Sequence, residues 1–494
     1  MAKMNANYKA LVELSKRAHT LEGIAQHLSW DQETYMPKDA SPIRAEQLKL
    51  LAELSHAIKT GPEFEKQLNA VIKSKDLTSQ QQAAVRAFAH DFRREKTLPS
   101  EFVQDFVHHT SECIVVWQNA KANNDFATFL PSLKKTIDLV KKKAEYIGYK
   151  DHIYDALIDE FEPGISTKEV ESVFAEIKTE IKKLVKVASK KKHKELTVDC
   201  TLEEQLEVCH ELLHDIGFDF NRGRLDVSSH PFSTSYHPYD SRITCRDASD
   251  SLIVQILTTL HEAGHSFYEM GLPVEQQGTP LGQAVSLGIH ESQSRFWETR
   301  IGRSRGFWKF MLPKLKKRFK KDLEKISLDE FMERLNQVKP SFIRTDADEV
   351  TYPLHVILRF EIEKELVTGK LAVKDLPKRW NEAMKDLIGV TPKNDVVGCM
   401  QDIHWSMGAF GYFPTYSLGN VFAAQMFETF EKAHPDWEKR IEKGDFVFIH
   451  EWLKENVWQH GRRYYGAELI KKISGKPLSA QPFITYLIRK YSLK

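Results

Sequence analysis

The feature that most constrains this chain is residues 252–268, a strongly apolar segment that carries two histidines. Its sequence reads LIVQILTTLHEAGHSFY. If the segment is helical, its apolar residues form one stripe, the pattern of a helix with a buried face. The stripe comprises Ile253, Ile256, Leu257, Leu260 and Phe267. The sequence therefore predicts a buried helix, with Asp247 or Ser249 as the cap of its first turn.

The two histidines, His261 and His265, are four residues apart on this helix. Both imidazoles project from one face at adjacent turns, so they can bind a single tetrahedral metal ion. Glu262 lies about 100° further round the helix, off the metal but within reach of an attacking water. Gly264 allows another backbone to approach closely. The arrangement is typical of zinc-dependent peptide hydrolysis with Glu262 as general base. The alternative is a pair of core histidines that are satisfied internally.

A catalytic zinc site needs a third protein ligand and an open fourth position. We expect Glu291 to be that ligand. It follows His265 by 26 residues, in the segment Ile289–Trp297, which is predicted to form a second helix packed against the first. A glutamate at about this distance completes the known pattern of His-Glu-x-x-His plus Glu. His290 is the competing ligand.

The rest of the chain is predicted to be mainly α. Apolar residues recur at helical spacing from the start, as in Leu11, Leu14, Ala18 and Leu21. No linker or repeat divides the sequence, so we expect one domain over residues 1–494. Residues 219–246 break the helical pattern and are predicted to form a small β-sheet just before the metal helix. A strand edge there could hold a peptide by strand addition.

Charge and cysteine usage restrict the partners and the compartment. The 71 Lys and Arg residues nearly balance the 69 Asp and Glu residues, which leaves a net charge of +2. We therefore expect no nucleic-acid partner, and no apolar run is long enough to span a membrane. The five cysteines are odd in number and lack Cys-x-x-Cys spacing, which favours a reducing compartment. The start of the sequence has no apolar signal core, so we expect a cytoplasmic protein.

Six motif blocks, in this order, resemble the carboxypeptidase Taq family of zinc metallocarboxypeptidases over nearly the whole chain. They are His230-Pro-Phe232, Asp240-Ser-Arg-Ile-Thr244, His261-Glu-Ala-Gly-His265, His290-Glu-Ser-Gln293, Ile343-Arg-Thr-Asp-Ala-Asp348 and Gly398-Cys-Met-Gln-Asp-Ile-His-Trp405. Weaker matches are Trp30-Asp-Gln-Glu-Thr34 and Asp159-Glu-Phe-Glu-Pro-Gly164. After the first block, Ser233-Thr-Ser235 replaces the glycine-containing segment of many members.

The resemblance implies a mainly α, neurolysin-like zincin bowl with a deep substrate groove, in which helices of residues 1–100 form part of the wall or lid. It also implies a homodimer with one Zn²⁺ per subunit, for which Co²⁺ is a possible substitute. The implied activity is the stepwise removal of C-terminal residues, with broad specificity, from short peptides that have a free C-terminal carboxylate.

Peptide hydrolysis also needs donors for the oxyanion of the tetrahedral intermediate. The predicted donors are His404, Tyr412 and Tyr416, in a segment similar to the His and Gly-Tyr region of related zinc oligopeptidases. The alternative for either tyrosine is aromatic packing.

An exopeptidase further needs a cation that binds the terminal carboxylate. Arg242 is the first candidate and Arg344 the second, and a structural salt bridge of Arg242 with Asp240 is the alternative. The predicted substrate-binding set comprises His230, Arg242, Thr244, Arg344 and Gln401. Asp346, Asp348 and Asp402 are unranked candidates for orienting the metal-binding histidines.

Two other functions remain open at this point. One is an oligoendopeptidase or dipeptidase with an open groove, which would also cleave peptides with an amidated C-terminus. The other is a non-catalytic peptide-binding protein of the same fold, for which Glu262 would have no use.

Overall fold

A computed structural model describes residues 5–246 and 251–492 of the chain. In this part, helices predominate and a single small sheet interrupts them, so the predicted mainly α fold is confirmed. The helices that precede the sheet are α1 (Ala6–Thr34), α2 (Ser41–Thr60), α3 (Pro62–Ile72), α4 (Ser79–Thr97), α5 (Ser100–Asn123), α6 (Phe126–Ile147), α7 (Ile153–Ile158), α8 (Thr167–Ala188) and α9 (Leu202–Asp215).

The sheet lies between α9 and the predicted metal helix. Its strands are β1 (Gly223–Ser228), β2 (Ser233–His237) and β3 (Asp240–Arg246), in the order β1-β3-β2. β1 runs parallel to β3, and β2 runs antiparallel to it. The predicted sheet within residues 219–246 is therefore confirmed.

Twelve helices follow the sheet in the described residues. They are α10 (Leu252–Gly271), α11 (Leu287–Arg295), α12 (Arg305–Arg318), α13 (Lys320–Leu323), α14 (Leu328–Leu335), α15 (Tyr352–Val367), α16 (Leu376–Leu387), α17 (Phe413–Ala433), α18 (Trp437–Ile441), α19 (Val447–Asn456), α20 (Gly466–Ser474) and α21 (Gln481–Tyr491). A π-helical turn, Phe296–Ile301, continues α11.

Helix α10 is the predicted metal helix, and its apolar stripe is buried as expected. The five stripe residues are each no more than 6% exposed. The predicted caps Asp247 and Ser249 lie outside the described residues, and the helix is capped by Ser251, whose hydroxyl accepts from the amide of Ile253. The burial of this stripe anchors α10 in the main hydrophobic core.

The sheet packs on α10 through β3. The Ser241 hydroxyl of β3 lies within hydrogen-bonding distance of the Ser266 hydroxyl of α10, and Ser241 and Ile243 are fully buried. Because side chains alternate along a strand, Arg242 lies on the opposite face of the sheet. The N-terminal helices α1, α3 and α4 have a smaller core of their own, which includes Leu11 and Phe64. No described helix is both long and apolar enough to cross a membrane.

Candidate active site

His261, His265 and Glu291 converge as predicted. Their ligand atoms lie within 4.8 Å of one another. His261 Nε2 is 3.6 Å and His265 Nε2 is 3.5 Å from Glu291 Oε2. Two imidazole nitrogens and one carboxylate oxygen form the ligand set of many catalytic zinc sites, so the residues present fit a zinc ion.

Two glycines allow the helices that carry these ligands to come close together. A Cβ atom on Gly264 of α10 would lie 2.6 Å from the carbonyl oxygen of Gln293 in α11. A Cβ atom on Gly419 of α17 would lie 2.5 Å from Glu291 Cγ. The close backbone approach that was predicted for Gly264 is therefore present, and it brings α11 against the metal helix.

Charged neighbours hold Glu291 and His261 in place. Arg295 Nε donates to Glu291 Oε1 at 2.7 Å, and Arg295 Nη1 donates to Glu298 Oε2 at 3.0 Å. His261 Nδ1 lies 2.8 Å from the same Glu298 oxygen. This contact makes Nδ1 the protonated nitrogen and leaves Nε2 free for a metal. Burial raises the pKa of Glu291, but Arg295 and His261 outweigh it and hold that pKa well below its usual range.

His265 is oriented by a second histidine. His290 Nε2 lies 2.9 Å from Glu269 Oε1, so Nε2 carries a proton and Nδ1 is the acceptor. His265 Nδ1 then donates to His290 Nδ1 over 2.6 Å, and its Nε2 faces Glu291. Burial lowers the pKa of His265 to about 3, which keeps the ring neutral, as a metal ligand must be. His290, the competing candidate, thus contacts His265 and is not part of the convergent group of His261, His265 and Glu291 in the described residues.

Glu262 is buried beside these ligands, with 7% of its surface exposed. Burial raises the pKa of Glu262 and His261 lowers it, while Glu291 and Glu298 also raise it, and the net value is about 7. A carboxyl that titrates near neutrality can both take up and release a proton at working pH. The chemical character of Glu262 is thus that expected of a general base.

The three predicted oxyanion donors form one aromatic cluster. His404 Nε2 and the Tyr416 hydroxyl are 3.2 Å apart, and the ring of Tyr412 lies 5.2 Å from that of His404. Burial and the adjacent Arg344 lower the pKa of His404 to about 3. Burial raises the pKa of Tyr412, and the nearby carboxylate of Glu291 adds to the shift. Tyr412 is therefore a neutral hydroxyl close to the metal ligands.

Arg344 belongs to a buried ionic cluster around Asp402. Its Nε and Nη2 donate to Asp402 Oδ1 at 3.1 and 3.0 Å, and its Nη1 donates to Tyr352 at 3.2 Å. Arg359 Nε donates to Asp402 Oδ2 at 2.7 Å. Gln401 accepts from the Arg344 amide at 2.9 Å and donates to three backbone carbonyls. All three nitrogens of Arg344 are thus engaged within the protein.

Arg242 is less completely engaged. Its Nε and Nη2 donate to the two oxygens of Asp240 at 2.9 and 3.0 Å, which leaves Nη1 without a partner among the described residues. The guanidinium lies between two rings, 4.2 Å from that of Trp30 in α1 and 5.0 Å from that of Tyr236. Trp30 belongs to the weak N-terminal motif, which had no assigned role.

Thr244 and His230 differ strongly in exposure. The Thr244 hydroxyl is buried, where it accepts from Ser228 at 2.7 Å and from the Phe232 amide at 3.0 Å. It therefore ties the loop between β1 and β2 to β3. His230 in that loop is exposed. Substrate binding by either residue stays a prediction.

The sequence reasoning missed the residues that orient the metal ligands. Glu298 and Glu269 fill this role, together with Arg295. Two of the three aspartates considered for it are engaged elsewhere, since Asp402 binds two arginines and Asp348 accepts from the amides of residues 350 and 351. The third, Asp346, accepts from the Thr345 hydroxyl at 3.5 Å. The helical spacing of these residues could have identified them. Glu291, Arg295 and Glu298 are spaced i, i+4 and i+7, and Glu269 is four residues after His265, so each set lies on one helix face.

Comparison with known proteins gives matches over nearly the whole length. A family model described as carboxypeptidase Taq (M32) metallopeptidase matches residues 10–491. Thermostable carboxypeptidase 1 of Thermus thermophilus is 38% identical over 99% of this chain and 98% of its own. Carboxypeptidase 1 of Bacillus subtilis is 38% identical over 98% of each chain.

Solved structures match equally closely. The M32 carboxypeptidase of Deinococcus radiodurans R1 has a TM-score of 0.95 at 39% identity, and the match covers 99% of both chains. A carboxypeptidase of Pyrococcus furiosus has a TM-score of 0.96 at 36% identity, covering 99% of this chain and 100% of that one.

Proposed function

The chain belongs to the carboxypeptidase Taq (M32) family of metallopeptidases, as its motifs indicated, and from this premise we propose that it is a zinc enzyme that removes C-terminal residues from short peptides. The observation that carries the proposal is the convergence of His261, His265 and Glu291 beside the buried carboxylate of Glu262. We further propose broad specificity, a homodimer in the cytoplasm, and a single domain whose N-terminal helices line the groove.

The donor set supports zinc as the metal. Two imidazoles and a carboxylate suit Zn²⁺, and Co²⁺ accepts the same ligands. When bound, zinc would act as a Lewis acid and lower the pKa of a bound water to about 7. Glu298 and His290 fix the ring orientation of the two histidines, so the site needs little rearrangement to hold the ion.

Glu262 moves the proton in this mechanism. It accepts a proton from the attacking water and later passes it to the leaving amine. The raised pKa of Glu262, about 7, suits both steps because the carboxyl gains and loses a proton near neutral pH.

Tyr412 and Tyr416 are proposed to donate hydrogen bonds to the oxyanion as it forms. Their hydroxyls stay protonated because burial raises the pKa of each phenol. His404 is neutral and contacts the Tyr416 hydroxyl, so its proposed role is to position that donor.

Arg242 is the proposed partner of the substrate's terminal carboxylate. It keeps a free Nη1, whereas Asp402 and Tyr352 occupy all three nitrogens of Arg344. The rings of Trp30 and Tyr236 contact the guanidinium and help to hold it in place. Thr244, His230 and Gln401 are proposed to shape the groove, and the contacts of Thr244 and Gln401 support a positioning role.

The decisive experiment compares a short free-acid peptide with its amidated twin, using mass spectrometry to identify the products. Stepwise C-terminal loss, seen only for the free acid and absent in Glu262→Gln, is the expected result. Internal cleavage of both peptides would show that the enzyme is an oligoendopeptidase. If neither peptide were cleaved, the result would favour a non-catalytic peptide-binding protein. In the same assay, Arg242→Ala should slow turnover of the free-acid peptide. Unchanged kinetics would indicate that Arg344 binds the substrate carboxylate instead.

A further inference from the structure

A cavity of about 760 Å³ lies away from the metal ligands, between the π-helical turn that follows α11 and the C-terminal helix α21. Three basic residues of its lining are buried or half-buried: Arg300 in the π-helical turn, Arg303 just after it, and Lys490 in α21. We call this cavity the cationic pocket. Its volume falls in the range of small-molecule sites, which is about 300–1,000 Å³.

Arg300 is the most unusual residue of the pocket. It is 2% exposed, and none of its three guanidinium nitrogens has a hydrogen-bond partner among the described residues. The guanidinium carbon lies 3.5 Å from the centre of the Tyr486 ring, which offers a cation–π contact but no hydrogen-bond acceptor. A buried charge without a paired acceptor is rare because its desolvation is uncompensated.

The charges inside the pocket do not balance. Glu349 is the carboxylate that faces them, and it accepts from Lys490 Nζ at 2.8 Å. Arg300 and Arg303 also act on Glu349, and together with Lys490 they hold its pKa below the usual range although burial opposes them. Three cations and one carboxylate leave a surplus of two positive charges.

The charges at the exposed edge of the pocket have both signs. Lys191, Glu333 and Glu438 are exposed residues of the lining, and two arginines at the edge are paired. Arg305 pairs with Asp329 at 2.6 Å, and Arg489 pairs with Glu431 at 3.5 Å. The surplus therefore belongs to the interior, where the dielectric is low and an anion is bound more strongly than at the surface.

We propose that the cationic pocket binds a small molecule that carries a phosphate group, held directly by Arg303 and Lys490 with Arg300 behind them. A phosphate monoester is a dianion, so it would neutralise the two surplus charges, and its oxygens accept the charge-assisted hydrogen bonds that guanidinium and ammonium groups donate. Trp437 and Tyr486, which also line the pocket, offer rings for the organic part of such a ligand.

The test is isothermal titration of the zinc-loaded full chain with inorganic phosphate and with phenyl phosphate, at constant ionic strength. We expect one site per chain. Lys490→Gln and Arg303→Gln should each weaken binding at least about tenfold, because each removes a charge-assisted hydrogen bond. Arg489→Gln is the matched control, since it removes a neighbouring cation that is already paired, and it should change the affinity less than about threefold.

Five results would overturn the proposal. The first is an absence of binding up to about 10 mM ligand, and the second is equal affinity in all the variants. The third is complete loss of binding after chelation of the metal, which would place the anion on the metal site. The fourth is phosphate binding that is seen only after the chain is truncated at Ser492. That result would mean that the residues after Ser492, and not a phosphate ligand, occupy the cationic pocket in the full chain. Acetate binding as strongly as phosphate would likewise exclude a dianion site.

Discussion

Substitution of Gly264 by alanine tests whether the contact between α10 and α11 sets the geometry of the metal ligands. A Cβ atom there would lie 2.6 Å from Gln293 O and 2.7 Å from Ser294 Cα. Cβ contacts under 3.0 Å are essentially absent from real structures, so the helices must separate by at least 3.0 − 2.6 = 0.4 Å. Both contacted atoms belong to the backbone, and no side-chain rotation can relieve the clash.

The displacement falls between two metal ligands, because Gly264 precedes His265 and Glu291 is on the displaced helix. Metal–ligand distances hold to within about 0.2 Å, so the shift exceeds what the site tolerates. Overpacking costs about 1–3 kcal/mol, while alanine gains about 1 kcal/mol over glycine in a helix. We therefore expect a loss of stability below about 2 kcal/mol but a loss of zinc affinity of at least about tenfold.

Zinc affinity is measured by competition with a chromophoric chelator, and stability by urea unfolding of the metal-free protein. Gly23→Ala is the matched control, since Gly23 is also helical and a Cβ there would meet its nearest atom at an ordinary 3.7 Å. That variant should bind zinc normally and gain slightly in stability. If Gly264→Ala bound zinc as tightly as the wild type, the close helix contact would not set the ligand geometry.

Two further predictions concern buried carboxylates. Glu298→Ala removes the acceptor that orients His261 and should weaken zinc binding about 10–100-fold; the same chelator competition measures it, and wild-type affinity would contradict the role. Glu162 is buried and accepts from the Gly288 amide at 3.0 Å, and burial raises its pKa from 4.5 to about 8. The folded state therefore keeps this proton while the unfolded chain releases it, so stability falls as pH rises from about 4.5 to about 8, by at most about 5 kcal/mol. Glu162→Gln should lose less stability than the wild type between pH 5 and pH 9, as urea midpoints will show, and parallel losses would refute the assignment.

The convergence of the candidate metal ligands His261 and His265 could be predicted because local periodicity determines their relative positions. His261 and His265 share a helix face whatever the rest of the chain does, and the apolar stripe decides which face is buried. Glu291 could be placed only by its distance along the chain, and the small residues Gly264 and Gly419 explain why its helix packs so closely. The mainly α fold followed from the same helical spacing.

The residues around the ligands could not be identified in the same way because their roles depend on contacts between distant segments. The pairing of Arg242 with Trp30 joins residues that are more than 200 positions apart and depends on the packing of α1 against the sheet. The π-helical turn also cannot be predicted from the α-helical spacing of apolar residues, although it carries both Glu298 and Arg300. Such turns are frequent at functional sites because they change the direction of side chains within one helix.

This turn places two buried charge surpluses of opposite sign next to each other. Around the metal ligands, Glu262, Glu291 and Glu298, when ionised, exceed Arg295 and a protonated His261 by one negative charge. Burial lowers the pKa of His261, but Glu291 and Glu298 outweigh it and raise that pKa to about 9. A bound dication would reverse the sign of this surplus. The cationic pocket has a surplus of two positive charges. Burial raises the pKa of Glu298, but Arg295 and then His261 outweigh it, with a smaller contribution from Arg303 of the pocket, and the value is lowered to about 2. The two sites therefore act on each other electrostatically.

Without the metal, the negative charge around the metal ligands partly offsets the positive charge of the cationic pocket. When zinc is bound, that negative charge is outweighed and no longer offsets the charge of the pocket. The zinc-loaded protein should therefore bind phosphate more tightly than the metal-free protein, and phosphate must strengthen zinc binding by the same factor because coupling between sites is reciprocal. Titration of both forms with phosphate, and zinc competition with and without phosphate, give two independent measures of that factor. Unequal factors in the two titrations would mean that phosphate also binds the metal. If the coupling between zinc and phosphate persisted in Lys490→Gln, the coupling would not depend on the cationic pocket.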